Sequence, residues 1–327
     1  MKTYVVKSSE AGMSLEKYIK KILNMAPLSF IYHLFRKKDI KVNGHWEKEK
    51  FIVSENDEVS IYVNDEQINE FIQIKCSAPK DELSPYIIYQ DNNVLLINKP
   101  RGILVQKESA NSKALDIMVI SYLTYKKEYS SKEELAFVPG PAHRIDRNTS
   151  GLVIFGKNHN SLQYLFSLLK NHELIEKKYI ALVYGIINED GIINAPLKKE
   201  NDNKVVVASI KNGGKSSITK YHVLKRFKDT TLLELTLLTG RTHQIRVHMQ
   251  YINHPLIGDN KYGNFDINHE FLKKYNFKNQ FLHAYKITFK GLDKPLENLS
   301  NKTFEAPMPL EYKNLLNLLE EEKYDDN

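Results

Sequence analysis

HRIDRNTSG, His143 to Gly151, packs two arginines, one carboxylate, two hydroxyls and an amide between flanking apolar runs. Leu152, Val153, Ile154 and Phe155 follow at once and predict a buried strand. Polar groups this dense at the mouth of such a strand must be paired or functional, because burying them unpaired is costly. The plain alternative is a capped loop whose Arg–Asp pair leads into the strand.

Four further stretches carry comparable chemistry. INKPRGILV, Ile97 to Val105, reads as a strand ending in Asn98, Lys99 and Pro100, with Gly102 permitting a tight turn. By itself this turn suits packing better than catalysis. KKYIALVYG, Lys177 to Gly185, places Tyr179 just before the apolar Ala181, Leu182 and Val183. A phenol ring can stack on a base and offer its hydroxyl, although a lone tyrosine in a chain with 19 of them is more ordinarily core. LTGRTHQIRVHMQYINHPLIGDNKYG, Leu238 to Gly263, reads as a turn at Gly240 and Thr242 into a helix. Ile245, Met249 and Ile252 form its apolar stripe; His243, Arg246, Val247 and Gln250 lie on a neighbouring face. Asp259 falls in the turn that follows and reads as structural. FLHAYKITF, Phe281 to Phe289, alternates as a strand does.

In this order the five stretches resemble the RluA/RluD-type ribosomal RNA pseudouridine synthases, whose signature reads HR-(L/I)-D-x-x-TSG. The resemblance covers about residues 86–308 and closes on NKTFEAP near residue 304. Ile145 stands where Leu is commoner and Asn148 where Asp is. The resemblance implies a catalytic Asp146, a Tyr179 lying against the target uracil, and an Arg246 paired with the aspartate. Leu282 is implied as a wall of the uracil pocket. Arg144 is implied to fill the space left by a flipped base or to hold its phosphate. The implied substrate-binding set extends to His143, Thr149, Arg241, His243 and Gln244. The implied fold is α+β, a catalytic domain with a mixed, mainly antiparallel sheet. No cofactor and no metal is called for.

The N-terminal stretch has its own pattern. Leu15, Tyr18, Ile19, Ile22 and Leu23 have helical spacing. Ser29 is placed to cap a second helix with Ile31, Leu34 and Phe35 inside. Arg36, Lys37 and Lys38 close that helix, Ile40 and Val42 alternate with Lys41, and Asn43-Gly44 is a hairpin turn, with Ile61 and Val63 returning as a strand. This order resembles the S4-like RNA-binding domain found in front of many such synthases. It implies RNA contacts from Arg36, Lys37, Lys38, Lys41 and Asn43. The expected organisation is an S4-like αβ domain over residues 1–64, a linker over 65–85, a catalytic domain over 86–319 and an acidic disordered tail over 320–327. The last helix starts near Pro309.

Bulk composition agrees with RNA as partner. The net charge is +7 and the pI about 9.0. Glu320, Glu321, Glu322, Asp325 and Asp326 against Lys323 give −4, so the body carries +11. The lone Cys76 forms no internal disulfide or thiolate metal site, which suits a cytoplasmic protein. The sequence has neither a signal-peptide pattern at its start nor an apolar run of membrane length, and signals no obligate protein partner.

Other chemistries fit poorly. GGKSS, Gly213 to Ser217, lacks the leading glycine of a phosphate loop, since Ser209 stands there, and strand alternation rather than a helix follows. His243 and His248 are five apart, which splays them around a helix, so no zinc site forms. A classical glycosidase needs two working carboxylates where these motifs supply one. The sequence reading is therefore an RNA pseudouridine synthase acting on large-subunit ribosomal RNA or its assembly precursor. A tRNA-modifying synthase and a non-catalytic RNA-binding assembly factor are its alternatives.

Overall fold

The structure is a computed structural model that describes residues 1–73, 78–109, 112–171, 173–200 and 204–325. Cys76 lies outside the described residues. The chain forms two compact units: Met1–Leu95, Gln106–His143 and Ile154–Ser167 make the first, and Leu96–Val105, Arg144–Val153 and Leu168–Asn327 the second.

The first unit opens with β1 (Lys2–Val5) and α1 (Leu15–Ile22). Ser14 caps α1 by accepting from Lys17 N–H, and the helix buries Leu15, Tyr18, Ile19 and Ile22. Helix α2 (Leu28–Lys37) buries Ile31, Leu34 and Phe35 as its spacing predicts. Its N-cap is Pro27 rather than Ser29, and no side chain caps it. The fixed backbone of proline enters the helix from an extended conformation without a hydroxyl. Strands β2 (Ile40–Val42) and β3 (His45–Trp46) form the hairpin, with Asn43 at φ 51° and Gly44 at φ 83°. With β4 (Glu58–Ile61) they make a four-stranded sheet in the order β1-β4-β2-β3. Strand β4 stops at Ile61, short of the expected Val63, with Tyr62 N–H still donating to the Asp39 carbonyl opposite it at 2.8 Å. Within the expected linker, α3 (Asp65–Glu70) is capped by Asn64 and buries Ile68 in the same core as α1 and α2. Ala136, Phe137 and Leu162 pack against that core too. The unit also contains β5 (Ile87–Gln90), the start of β6 (Val94–Lys99), α4 (Leu115–Tyr125) and most of α5 (His159–Asn171). In it β7 (Gly140–Pro141) pairs with the end of β8 (Ser150–Gly156).

The second unit adds β9 (Ile175–Tyr184), β10 (Gly191–Asn194), β11 (Leu197–Lys199), β12 (Val205–Val207), β13 (Ile218–Arg226) and β14 (Thr230–Leu237). Then come α6 (Gln244–Tyr251), α7 (Phe265–Tyr275), β15 (Leu282–Phe289), β16 (Thr303–Glu305) and α8 (Leu310–Asp325). Its sheet is mixed and mainly antiparallel, in the order β10-β13-β14-β9-β15-β8-β6, with β16 on β15 and β11–β12 as a separate ladder. From Tyr179 to Val183 strand β9 is buried on both faces, which explains the apolar run there. Tyr179, Ala181 and Val183 face Ile245 and Met249 of α6, while Ile180 and Leu182 face Phe281, Tyr312 and Leu315. Strand β15 pairs in parallel with β8, at His283–Ser150 and Ala284–Gly151. Gly151 lies at φ +112°, where a Cβ would sit 2.2 Å from the Ala284 carbonyl oxygen.

Helix α8 continues past Leu319, where the sequence reading has a disordered acidic tail. Glu320 pairs with Lys225, and Glu322 accepts from Lys274 at 2.6 Å and Tyr275 at 2.8 Å. These long-range partners hold the acidic turn helical. Among the described residues no helix is long and apolar enough to cross a membrane.

Candidate active site

The HRIDRNTSG loop ends where β8 enters the sheet, and three contacts fix it there. Lys99, at the end of β6, is fully buried and donates to the carbonyls of Pro100, Ile103 and Arg147 at 2.9, 2.9 and 3.1 Å. Three acceptors match the three N–H groups of an ammonium. Burial pulls its pKa down to about 7, against the charge of Asp146. Gly102 N–H donates to the Arg147 carbonyl at 2.8 Å, and Arg147 Nε returns to the Gly102 carbonyl at 3.0 Å. Thr149 N–H donates to the Asp146 carbonyl at 3.1 Å.

Held in this way, Asp146 keeps a partly open carboxylate, 23% exposed. Its Oδ2 accepts from Arg246 Nη1 at 2.8 Å. Arg246, on α6, turns its other edge to Asp259 in a two-pronged pair, Nε to Oδ2 at 2.7 Å and Nη2 to Oδ1 at 2.8 Å. Asp259 Oδ1 also accepts from Lys261 N–H and Tyr262 N–H at 2.9 and 3.1 Å. Burial works against the Arg246 charge, but the Asp259 and Asp146 contacts outweigh it and raise the pKa. Burial likewise opposes the Asp259 carboxylate, which Arg246 and the two amides hold below its ordinary range. The Tyr262 ring lies 5.0 Å beneath the guanidinium.

His243 caps α6 rather than lying on it, with φ 54°. Its Nδ1 is 2.8 Å from the Tyr262 hydroxyl and its Nε2 3.9 Å from Asp146 Oδ2. Burial lowers its pKa against the pull of Asp146, with Arg246 and Lys261 adding to the lowering. Tyr179 lies in one apolar cluster with Leu282, Ile245 and Ile145. Its hydroxyl makes no hydrogen bond among the described residues, and burial, then the charge of Asp146, raises its pKa. Two residues earlier on β9, Lys177 is buried with no partner among the described residues, and burial lowers its pKa to about 8.

The structure thus gathers Asp146, Tyr179, Arg246, His243 and Leu282. Arg144 is exposed beside them in sequence, and Arg241 is exposed with Nε on the Ser216 carbonyl at 3.1 Å. The remaining expected substrate ligands are engaged in the fold. Gln244 accepts from Thr239 and Arg241 N–H and donates to Ile218 and Thr219. Thr149 accepts from Gln280 at 3.1 Å, and in the first unit His143 Nε2 accepts from Ile154 N–H at 3.3 Å. Sequence reading gave Asp259 and Lys99 structural places and did not single out Tyr262; it paired none of Asp259, Tyr262 and Lys99 with the site. The first two lie inside the long matched stretch, where an Arg–x12–Asp spacing gives no hint of pairing across a turn.

A single guanidinium shared by an open and a buried carboxylate, beside an unbonded buried phenol, can aim and hold one anionic oxygen pair. The family model for RNA pseudouridylate synthase matches residues 93–251, a span that includes Asp146, Tyr179 and Arg246. The chain is 32% identical to an uncharacterized RNA pseudouridine synthase of Mycoplasma capricolum, over 92% of this chain and 96% of that protein. The chain belongs to the RNA pseudouridine synthase family. The synthase is also 31% identical to ribosomal large subunit pseudouridine synthase C of Vibrio cholerae, over 92% of this chain and 90% of that one. Human RNA pseudouridylate synthase domain containing 4 shares the fold, with a TM-score of 0.58 at 22% identity over 73% of this chain and 94% of that one.

Proposed function

We propose that this synthase isomerises specific uridines of large-subunit ribosomal RNA, with Asp146 as the essential carboxylate. The observation that carries the reading is Arg246 bridging the partly open Asp146 and the buried Asp259. With Asp259 neutralising most of its charge, Arg246 orients Asp146 without closing it off. The names of the large-subunit relatives support the choice of RNA.

The reaction breaks the N1–C1′ bond of uridine and rejoins the base through C5, whose hydrogen leaves as a proton. One carboxylate suffices, because the uracil stays in the site and needs no external acceptor. Asp146 either attacks C1′ to form an ester or removes a proton from C2′ to give a glycal. Tyr179 and Leu282 line the pocket in which the base turns. A stacked base is out of reach, so the uridine is flipped out, and the exposed Arg144 holds the gap or the neighbouring phosphate. We read residues 1–64 as an S4-like module that brings RNA to the site through Arg36, Lys37, Lys38 and Lys41, and a cytoplasmic setting goes with this substrate. Asn43 serves the hairpin, with its Oδ1 on Glu58 N–H at 2.9 Å and its Nδ2 on Asp57 at 2.8 Å.

The test is tritium release from ribosomal RNA labelled at uridine C5. Wild type should release label, and Asp146→Ala should fall by more than about 1,000-fold while still binding RNA. Full release by the variant overturns the role of Asp146. Release from tRNA alone moves the substrate.

A further inference from the structure

The outer face of the N-terminal sheet carries a basic and aromatic row. Ile40 and Val42 of β2 point into the core, so Lys41 between them points out. Trp46 lies directly opposite Lys41 on β3, and Ser60 opposite it on β4. Thr3 of β1 follows Ser60, their hydroxyls 2.9 Å apart. Just past β4, the Tyr62 ring sits 4.9 Å under the Lys41 ammonium, and the Trp46 ring 5.1 Å under that of Lys38. The two rings are 42% and 38% exposed. Neither the indole N–H nor the Tyr62 hydroxyl makes a hydrogen bond among the described residues.

Large aromatic rings held upright by lysines and left open to solvent do not serve the core. The core of this sheet is already complete on its other face. The pattern of ring, ammonium, ring, ammonium matches a ribose-phosphate chain with its bases splayed, since bases stack on the rings and phosphates meet the ammoniums. Glu58 sits at one end of the same face and Glu47 follows Trp46. A duplex keeps its bases stacked inside and offers the rings nothing.

We propose that Trp46 and Tyr62 form a stacking platform for unpaired RNA bases, with Lys38 and Lys41 on the adjoining phosphates. It rests on the reading that residues 1–64 bind RNA, and narrows that reading to single-stranded or looped segments.

Trp46 is the only tryptophan in the chain, so the fluorescence of the full-length protein reports this position alone. The probes are a single-stranded oligouridylate and a blunt RNA duplex with the same number of phosphates. Expected is saturable quenching by the single strand and little by the duplex. Trp46→Leu should weaken single-strand binding, read by anisotropy of labelled oligonucleotide, by about tenfold. Trp46→Phe should restore most of it, because the ring is kept. Equal quenching by the duplex overturns the unpaired-base assignment. Unchanged fluorescence and wild-type binding by Trp46→Leu, with binding lost in Lys38→Gln and Lys41→Gln, overturns the platform but leaves the RNA-binding module standing. Wild-type binding by all four variants overturns the platform and, with it, the phosphate contacts assigned to Lys38 and Lys41.

Discussion

Arg246 serves two carboxylates with one planar group, and lysine cannot copy that geometry. A lysine would have to choose between Asp146 and the buried Asp259. Arg246→Lys should therefore lower single-turnover tritium release by about 100-fold at saturating RNA while the RNA affinity stays near wild type. An unchanged rate means the guanidinium does not orient Asp146. Lys177 presents the opposite problem, a buried cation with no partner among the described residues. Its folded pKa is about 8, below the ordinary 10.5. Between those values the unfolded chain binds the proton that the folded chain releases, so this group's cost to stability is full below pH 8 and fades as pH rises to 10.5. Lys177→Met should raise unfolding free energy at pH 7 by up to about 3 kcal/mol, with the gain shrinking by pH 10. Denaturant titrations at the two pH values measure it, and a loss of stability at pH 7 contradicts it. Asp146, Tyr179 and Arg246 were legible in the sequence only through resemblance. Asp146 and Arg246 are 100 residues apart, and no local pattern announces such a contact. Gln244 misled for a physical reason, since a buried amide that satisfies its own turn looks the same in sequence as one aimed at a substrate.

Secondary elements were read best where alternation or helical spacing is a local property. The runs of β2, β9 and β15 and the buried faces of α1 and α2 follow directly from it. Boundaries depended on partners out of view. Pro27 displaced Ser29 as a cap, Asn64 started a helix inside the expected linker, and Lys225 and Lys274 drew the acidic turn of α8 into order. Gly151 shows how strictly one element can constrain a site. Its backbone angle and the 2.2 Å approach to Ala284 leave no room for a methyl group between β8 and β15. Gly151→Ala should cost about 3 kcal/mol or more and disturb the loop bearing Asp146. Thermal unfolding checks the first effect and tritium release the second. A variant with wild-type stability means the strands can part without penalty.

At the scale of the molecule, the first unit does not end where the N-terminal sheet ends. Its core includes Ala136, Phe137 and Leu162 beside residues of α1, α2 and α3. Glu10, buried and with its pKa raised by that burial, accepts from Ala136 N–H at 2.6 Å and Lys7 N–H at 3.1 Å. Removing residues 1–64 should therefore expose apolar surface and lower the melting temperature, which calorimetry of residues 65–327 would show. A truncated protein as stable as the whole would make the module independent. Point substitutions on the outer sheet face are the cleaner probe of RNA binding. The place of β15 has a consequence for synthesis. Order β9-β15-β8 means that the strand made late joins two made early. Until residue 289 has left the ribosome, β9 and β8 each present an open edge to other nascent chains. A message cut short before Leu282 should therefore give aggregate, not a weakened enzyme.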